Sequence, residues 1–345
     1  MHGRESAVDR GVTQSGRTRR IGVVLLGVCV AIFVWANRRE VPTTWRTLTT
    51  ARPLWCLTAG VLMVVWMAND AGLQRATLLA TGVHMNFGKV AIGAGVAHFL
   101  NLTTKSAGVA GLAGFRAEGR RAGLAENSLT AGYVLGALLT EWAFAAALLA
   151  SLVVLTTDGR LTTTDLAGVG VFALYAGSRI LILVSATRNR DRLRGLMRLP
   201  IRFLASVRRR PPCEGFARSD AAADELFDSL QLVRGRGRAL MPAVGHALAT
   251  EVIAAAILWS CLRAVGTSLS PLQSLVAYSV SGLFGIIGFL PGGLGFVEVS
   301  LSAVLVGFGS TGATAAAAVV LYRLFELWLP VLIGGAFAHR LMVVR

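Results

Sequence analysis

Hydrophobic residues in this chain fall into long runs rather than short alternating patterns. Six runs are long and apolar enough to predict helices that cross a membrane, because about 20 apolar residues span a hydrocarbon core of about 30 Å. Their approximate limits are 21–37, 53–71, 127–155, 165–187, 239–264 and 313–338. The pattern predicts an all-α polytopic membrane protein with about six full transmembrane helices.

Two further apolar stretches, 88–116 and 271–309, are interrupted near their centres. The first break is the polar segment 101–106, which contains Lys105, and the second is Pro291-Gly292-Gly293. Each stretch predicts two short helices joined by a turn, which enter and leave the membrane on one side as a re-entrant hairpin. Irregular backbone is tolerated at membrane depth only where protein shields it or where it lines a wet cavity.

The two interrupted stretches occupy matching positions in the sequence. Gly108 precedes Glu141 by 33 residues (141 − 108), and Gly293 precedes Glu326 by 33 residues (326 − 293). Three predicted spans separate the hairpins, and an odd number inverts the second hairpin relative to the first. We therefore predict an inverted repeat, an arrangement of transporters in which the interrupted helices mark the binding site.

Composition and charge agree with a membrane location. Of the 345 residues, 54% are hydrophobic and 15% are charged, which is little charge for the surface of a soluble domain. The formal net charge of +16 is concentrated in loops, and thirteen arginines lie in 188–238, whereas 265–271 and 307–313 carry no charge. Arginine-rich loops are cytoplasmic and face anionic lipid, so this excess predicts membrane contact and no nucleic-acid partner.

This charge distribution also predicts the organisation of the chain. Residues 1–20 form a cytoplasmic tail, and 21–340 form a single membrane domain of the cell (plasma) membrane with both termini cytoplasmic. Its first half covers about 53–187 and its second half about 239–340, with the basic loop 188–238 between them. That loop is expected either to lie on the anionic membrane surface as a helix or only to fix the topology.

The second break carries a family resemblance. The string PGGLGFVE at 291–298, with Tyr322-Arg323 downstream, resembles the flippase-like family, also called the lysylphosphatidylglycerol synthase transmembrane region. The resemblance covers about 50–340, and TKSAGVAGL at 104–112 is a less regular form of the family's first hairpin. It implies a membrane part that moves lipid between leaflets. Because no soluble acyltransferase domain precedes Arg345, it implies lipid movement and not aminoacyl transfer.

Several residues are candidate substrate contacts near the two breaks. The glycines of the second break would let backbone N–H groups face a lipid phosphate, or would only allow a tight turn. Lys105 is either a phosphate contact of the first hairpin or an ordinary lysine at a cytoplasmic turn. The full set is Lys105, Glu141, Pro291, Gly292, Gly293, Gly295, Glu298, Arg323 and Glu326.

The charged candidates leave two interpretations open. Arg323 and Glu326 are three residues apart on one helix face, so they either neutralise each other or hold a phosphate on the arginine. Glu298 either caps its helix, or pairs with a basic residue or carries a proton in the site. Partners for Glu141 and Glu251 are expected from arginines elsewhere, with Arg179 a candidate for Glu141.

No catalytic motif such as GxSxG, HExxH or a Walker loop occurs in the sequence. The hypothesis is therefore a non-enzymatic translocator, without cofactor or metal, that moves an anionic phospholipid or another lipid-linked substrate between leaflets. The alternative is a membrane scaffold or accessory subunit for a separate lipid-modifying synthase or glycosyltransferase. A lipid-modifying enzyme and a second copy of the chain both stay open as protein partners.

Overall fold

A computed structural model describes residues 41–104, 106, 108–157, 170, 173–174, 177, 188–208, 219–221, 223–224, 227–228, 231, 237–288 and 290–343. Regular structure within these ranges is helical. The tail 1–20, the predicted span 21–37 and most of the span 165–187 lie outside the described residues, as do Lys105 and Arg179.

The helices of the first half and of the basic loop begin and end at well-defined residues. They are α1 (Val41–Thr49), α2 (Pro53–Ala80), α3 (Phe87–Thr103), α4 (Val109–Arg121), α5 (Glu126–Thr157) and α6 (Arg190–Arg208).

The second half starts with a 3-10 turn at Gly237–Leu240 and repeats the order of long, short, short and long helices. Its elements are α7 (Met241–Ala264), α8 (Pro271–Ile287), a 3-10 turn (Pro291–Gly293), α9 (Phe296–Gly307), α10 (Gly312–Arg323), a π-helical turn (Leu324–Trp328) and α11 (Leu329–Val343).

Four helical segments are long and apolar enough to cross a membrane: Pro53–Ala80, Glu126–Thr156, Gly237–Ala264 and Gly312–Arg340. They confirm four of the predicted spans. The first is longer than the predicted 53–71, because its last nine residues are polar enough to end the apolar run but include good helix formers such as Ala, Leu and Arg.

Both predicted interruptions are present, and local sequence explains where the short helices begin. Asn86 accepts a hydrogen bond from the Gly88 N–H (2.9 Å) at the start of α3. Ser270 and Gln273 form a reciprocal capping box at the start of α8. Gly108 immediately precedes α4 with a φ of 88°, a left-handed conformation that glycine adopts without strain.

The first long helices of the two halves, α2 and α7, pack in antiparallel directions. The Arg52 N–H donates to the Ala264 carbonyl (2.9 Å) at one end. Near the other end, Asn69 Nδ2 donates to the His246 carbonyl (2.8 Å). His246 also bonds Asn69 through Nδ1 (2.8 Å).

Contacts between the halves are reciprocal. The last helix of the second half, α11, packs on α3, and the last helix of the first half, α5, packs on α8. Small residues mediate both crossings, as in many membrane proteins. A Cβ at Gly334 would lie 2.7 Å from Phe99 Cβ, and Ser151 Oγ lies 3.1 Å from Ser279 Oγ.

Helix α6 of the basic loop docks against the long helices. Leu193 is fully buried with Ala80 of α2 and Leu135 of α5. Three α6 arginines pair with aspartates of 219–231: Arg190 with Asp228, Arg194 with Asp224 and Arg198 with Asp220. Hydrogen bonds from Arg198 and Arg194 lower the pKa of Asp220 and Asp224 respectively. These three arginines therefore have protein partners.

Candidate functional site

Arg323, the last residue of α10, is the centre of a buried polar cluster with 4% of its surface exposed. Its Nε donates to Glu298 Oε1 (2.8 Å), and its Nη1 donates to Glu326 Oε2 (2.7 Å). Its Nη2 donates to the Gly292 carbonyl (2.7 Å). All three nitrogens of the guanidinium are therefore bonded, which exploits the planar fork that distinguishes arginine from lysine.

Glu298 is held in place by the start of α9. Its Oε2 accepts a hydrogen bond from the Gly295 N–H (2.7 Å), while Oε1 accepts from Arg323. One carboxylate therefore caps the helix and also pairs with a base. The same bond occupies the Gly295 N–H, one of the donors that the sequence had suggested for an anion.

Glu326 is positioned by the π-helical turn Leu324–Trp328, which contains one residue more per turn than an α-helix. It lies 14 residues from each end of the span Gly312–Arg340 (326 − 312 and 340 − 326), so it lies at the middle of that span. Turns of this type occur frequently at functional sites. Glu326 is also the most exposed member of the cluster, with 35% of its side chain accessible against 18% for Glu298 and 5% for Arg323.

Gly292 presents its carbonyl to Arg323 because the turn between α8 and α9 is left-handed. Gly292 has a φ of 62°, and a Cβ there would lie 2.8 Å from the Leu327 side chain. The same Cβ would lie 3.8 Å from the carbonyl oxygen of Leu102, near the end of α3. The interruptions of the two halves therefore meet at this turn.

The charge balance of the cluster is unusual for a buried site. One guanidinium bonds two carboxylates, so with both acids ionised the cluster carries one negative charge in excess. Excess charge at membrane depth is costly and is typical of functional rather than structural positions.

A cavity of about 70 Å³ lies beside Glu326. It is lined by Met63, Trp66, His98, Ala254, Ile257, Tyr278, Tyr322 and Glu326. The Tyr278 hydroxyl donates to Glu251 Oε2 (2.8 Å), and Glu251 is 95% buried. Among the described residues no arginine bonds Glu251, and its hydrogen-bond partner there is the Tyr278 hydroxyl.

Comparison with known proteins identifies the family. Residues 20–334 match the model of the family described as the lysylphosphatidylglycerol synthase TM region. The chain belongs to this family. It is also 31% identical over 87 residues to a UPF0104 membrane protein of Methanothermobacter thermautotrophicus. That alignment covers 24% of this chain and 26% of the relative.

In this member of the lysylphosphatidylglycerol synthase TM region family, seven of the nine candidates lie within one cluster or its turn. They are Pro291, Gly292, Gly293, Gly295, Glu298, Arg323 and Glu326. Lys105 lies outside the described residues. Glu141 lies on α5, 15 residues from each end of Glu126–Thr156 (141 − 126 and 156 − 141). It thus has the same mid-span position as Glu326, but on the helix that packs against α8.

Sequence reasoning missed the cavity and the link between Tyr278 and Glu251. The one available signal was an acidic residue near the middle of the apolar run 239–264. Tyr278 gave no signal, because a tyrosine in an apolar helix is ordinary and its partner is 27 residues away in the sequence.

Proposed function

We propose that this protein is a non-enzymatic lipid translocator that moves an anionic phospholipid, or another anionic lipid-linked substrate, between leaflets. The observation that carries the proposal is Arg323: a buried guanidinium near the middle of a span, held at the turn where two interrupted helices meet. Arginine binds phosphate through two parallel N–H···O bonds, so the same fork is suited to a lipid head group.

The phosphate site opens by exchange of partners on Arg323. Glu326 is the partner that leaves, since it is more exposed than Glu298 and lies in a π-helical turn. Glu298 stays, because the Gly295 N–H fixes its second oxygen. A phosphate then takes the Nη1 and Nη2 donors, and the Gly292 carbonyl is released with Glu326.

The arrangement of the halves supports alternating exposure of this site. Helices α2 and α7 are antiparallel, and the contacts of α3 with α11 and of α5 with α8 are reciprocal. Both features are expected of inverted halves, whose relative rocking exposes a central site to each side in turn. The head group crosses where the interruptions meet, and the acyl chains remain in the bilayer.

The family and the charge distribution support the remaining parts of the proposal. The family is a membrane region of lysylphosphatidylglycerol synthases, which supports a lipid-related role. The arginine-rich loop 188–238 supports a plasma-membrane orientation with both termini cytoplasmic.

A vesicle assay tests the proposal. The purified protein is reconstituted with phosphatidylglycerol fluorescently labelled on an acyl chain, and an impermeant reductant quenches the outer leaflet. Continued quenching of the inner-leaflet label is expected with the wild type. Arg323→Gln should slow it about 10- to 100-fold, since hydrogen bonds to charged groups contribute about 1.5–3 kcal/mol and each 1.4 kcal/mol is tenfold.

The matched control is Arg340→Gln, which removes an exposed arginine further along the same span. The rate at which this variant moves the labelled lipid should equal that of the wild type. The proposal fails if the wild type moves none of the labelled lipid. If a co-purifying synthase also loses activity when the protein is absent, the scaffold alternative is correct.

A further inference from the structure

Binding of a phosphate at Arg323 creates an electrostatic problem that the cluster alone does not solve. Glu298 and Glu326 already supply two negative charges to one guanidinium. A phosphate would add a third near the middle of the membrane, where uncompensated charge is most costly. The free energy needed to separate Glu326 from Arg323 is therefore lowest if Glu326 takes up a proton as it leaves.

The cavity beside Glu326 provides a route for that proton. Its volume of about 70 Å³ exceeds the roughly 10–15 Å³ that a cavity needs to hold one water molecule. Five lining side chains carry nitrogen or oxygen atoms for such water: Trp66, His98, Tyr278, Tyr322 and Glu326. A buried water makes about three hydrogen bonds, so this lining is sufficient.

Glu251 is the second acid connected to this cavity. It lies near the middle of Gly237–Ala264, 14 residues from one end and 13 from the other (251 − 237 and 264 − 251). Its carboxyl is bonded to the Tyr278 hydroxyl, which lines the cavity. No arginine or lysine bonds it among the residues that the structure describes, and a buried carboxyl without a cation binds a proton instead.

The groups facing Glu251 and the cavity come from every helix that packs around them. From α8 comes Tyr278, from α10 Tyr322, from the π-helical turn Glu326, and from α3 His98, whose ring lies 5.0 Å from the Trp66 ring at an interplanar angle of 59°. Helix α2 contributes Met63 and Trp66, and α5 contributes Phe144 beside Tyr278; none of these three titrates.

We propose that Glu251 is an intramembrane proton-binding site that exchanges its proton with Glu326 through Tyr278 and cavity water, so that one proton accompanies each anionic lipid. This inference rests on the proposed function. The Glu251 carboxyl gives its proton to Tyr278 Oη, and Tyr278 gives its own proton to water. Water protonates the Glu326 carboxylate, which leaves Arg323. Glu251 is left as a carboxylate that accepts the Tyr278 hydroxyl.

The phosphate's negative charge and the proton cancel, so a pH difference drives the lipid without moving net charge. In vesicles with a pH difference of about one unit, singly charged phosphatidylglycerol should accumulate about tenfold in the leaflet on the alkaline side. Glu251→Gln keeps a hydrogen-bond acceptor for Tyr278 but binds no proton, and should abolish the difference between leaflets. Arg340→Gln should keep the tenfold ratio.

A second measurement does not depend on transport. Infrared difference spectra of the purified wild type, recorded against pH, should show a carboxylic-acid C=O band that disappears in Glu251→Gln. Tyr278→Phe should shift its frequency, because the band loses a hydrogen bond.

The outcomes separate the two proposals. If the wild type moves lipid but the leaflet ratio ignores the pH difference, proton coupling is overturned and lipid translocation stands. If no lipid moves while the Glu251 band is present and titrates, the proton site stands and the proposed function fails. If Glu251→Gln leaves every carboxylic-acid band unchanged, the proton site is overturned.

Discussion

At the scale of single residues, Arg323 joins parts of the chain that are distant in sequence. Glu298 lies 25 residues before it and Gly292 lies 31 residues before it, whereas Glu326 is in the next turn. The three partners of Arg323 differ in exposure and in their other bonds. Loss of each one should therefore change the stability by a different amount.

The two glutamates should differ in their contribution to stability. Glu298→Gln breaks the more buried ion pair and should lower the free energy of unfolding by about 3–5 kcal/mol. Glu326→Gln leaves Arg323 paired with Glu298 and removes the less buried of the two ion pairs, so a smaller loss is expected. Denaturant titration in detergent micelles measures both, and equal losses would contradict this order.

Gly292 should not tolerate a side chain. Gly292→Ala places a Cβ 2.8 Å from Leu327 and forces alanine into a left-handed conformation, which costs about 1–2 kcal/mol before the clash is relieved. Gly245→Ala is the matched control, because it lies within α7 with nothing within 4 Å of its Cβ position. The control should be neutral or stabilise by up to about 1 kcal/mol. A loss of stability in both variants would point to a general intolerance of alanine.

Only part of this cluster could be predicted from sequence. The spacing of Arg323 and Glu326 predicted a shared helix face, and Pro291 to Gly293 predicted a break. The bonds from Arg323 to Glu298 and Gly292 depend on how α10 packs beside the turn, and nothing within a local window encodes that contact.

At the scale of elements, proline and glycine were reliable markers, whereas the π-helical turn was not predicted. Leu324–Trp328 contains four large apolar residues around Glu326 and no proline or glycine, so the pattern indicates an ordinary helix. The bond from Arg323 to Glu326, three residues apart on the same helix, also falls in this turn.

Docking of α6 should weaken in acid and in salt. The pKa values of Asp220 and Asp224 are lowered in the folded state, so their pairing is complete above the ordinary aspartate value of 3.8 and is lost as the pH falls through the lowered values. Salt at 1 M shortens the Debye length to about 3 Å and weakens these exposed pairs. Faster hydrogen exchange of α6 amides under both conditions is expected.

The control for α6 is Asp191→Asn, which removes an exposed acid on α6 itself and spares the aspartates of 219–231. Asp220→Asn with Asp224→Asn should accelerate exchange at neutral pH, and Asp191→Asn should change it less. Unchanged exchange in the double variant would show that Leu193 and its apolar contacts suffice for docking.

At the scale of the whole molecule, the two halves pack as antiparallel counterparts. The close approach of Gly334 to α3 and the contact of Ser151 with Ser279 place small residues at both crossings. Four of the six spans and both breaks were predictable from the apolar pattern. The pairing of the halves was predictable only through the odd number of intervening spans.

Inversion of the hairpins predicts opposite accessibility of their connecting loops. A single cysteine at Ser310, after α9, should react with an impermeant maleimide in intact cells. A single cysteine at Ala122, after α4, should react only after permeabilisation. The background replaces the native cysteines with serine, and labelling of both positions from one side would exclude the inverted arrangement.

The bond between Arg323 and the Gly292 carbonyl has a consequence for which lipids cross. Separating the hairpin turn from α10 removes bonds from a buried guanidinium, and only an incoming anion compensates for that loss. Diacylglycerol occupies the same bilayer but offers no such group, so it should leave the turn closed. The opening step itself would then select the head group. A lipid with uncharged polar groups should not be carried, and it should not inhibit the movement of phosphatidylglycerol.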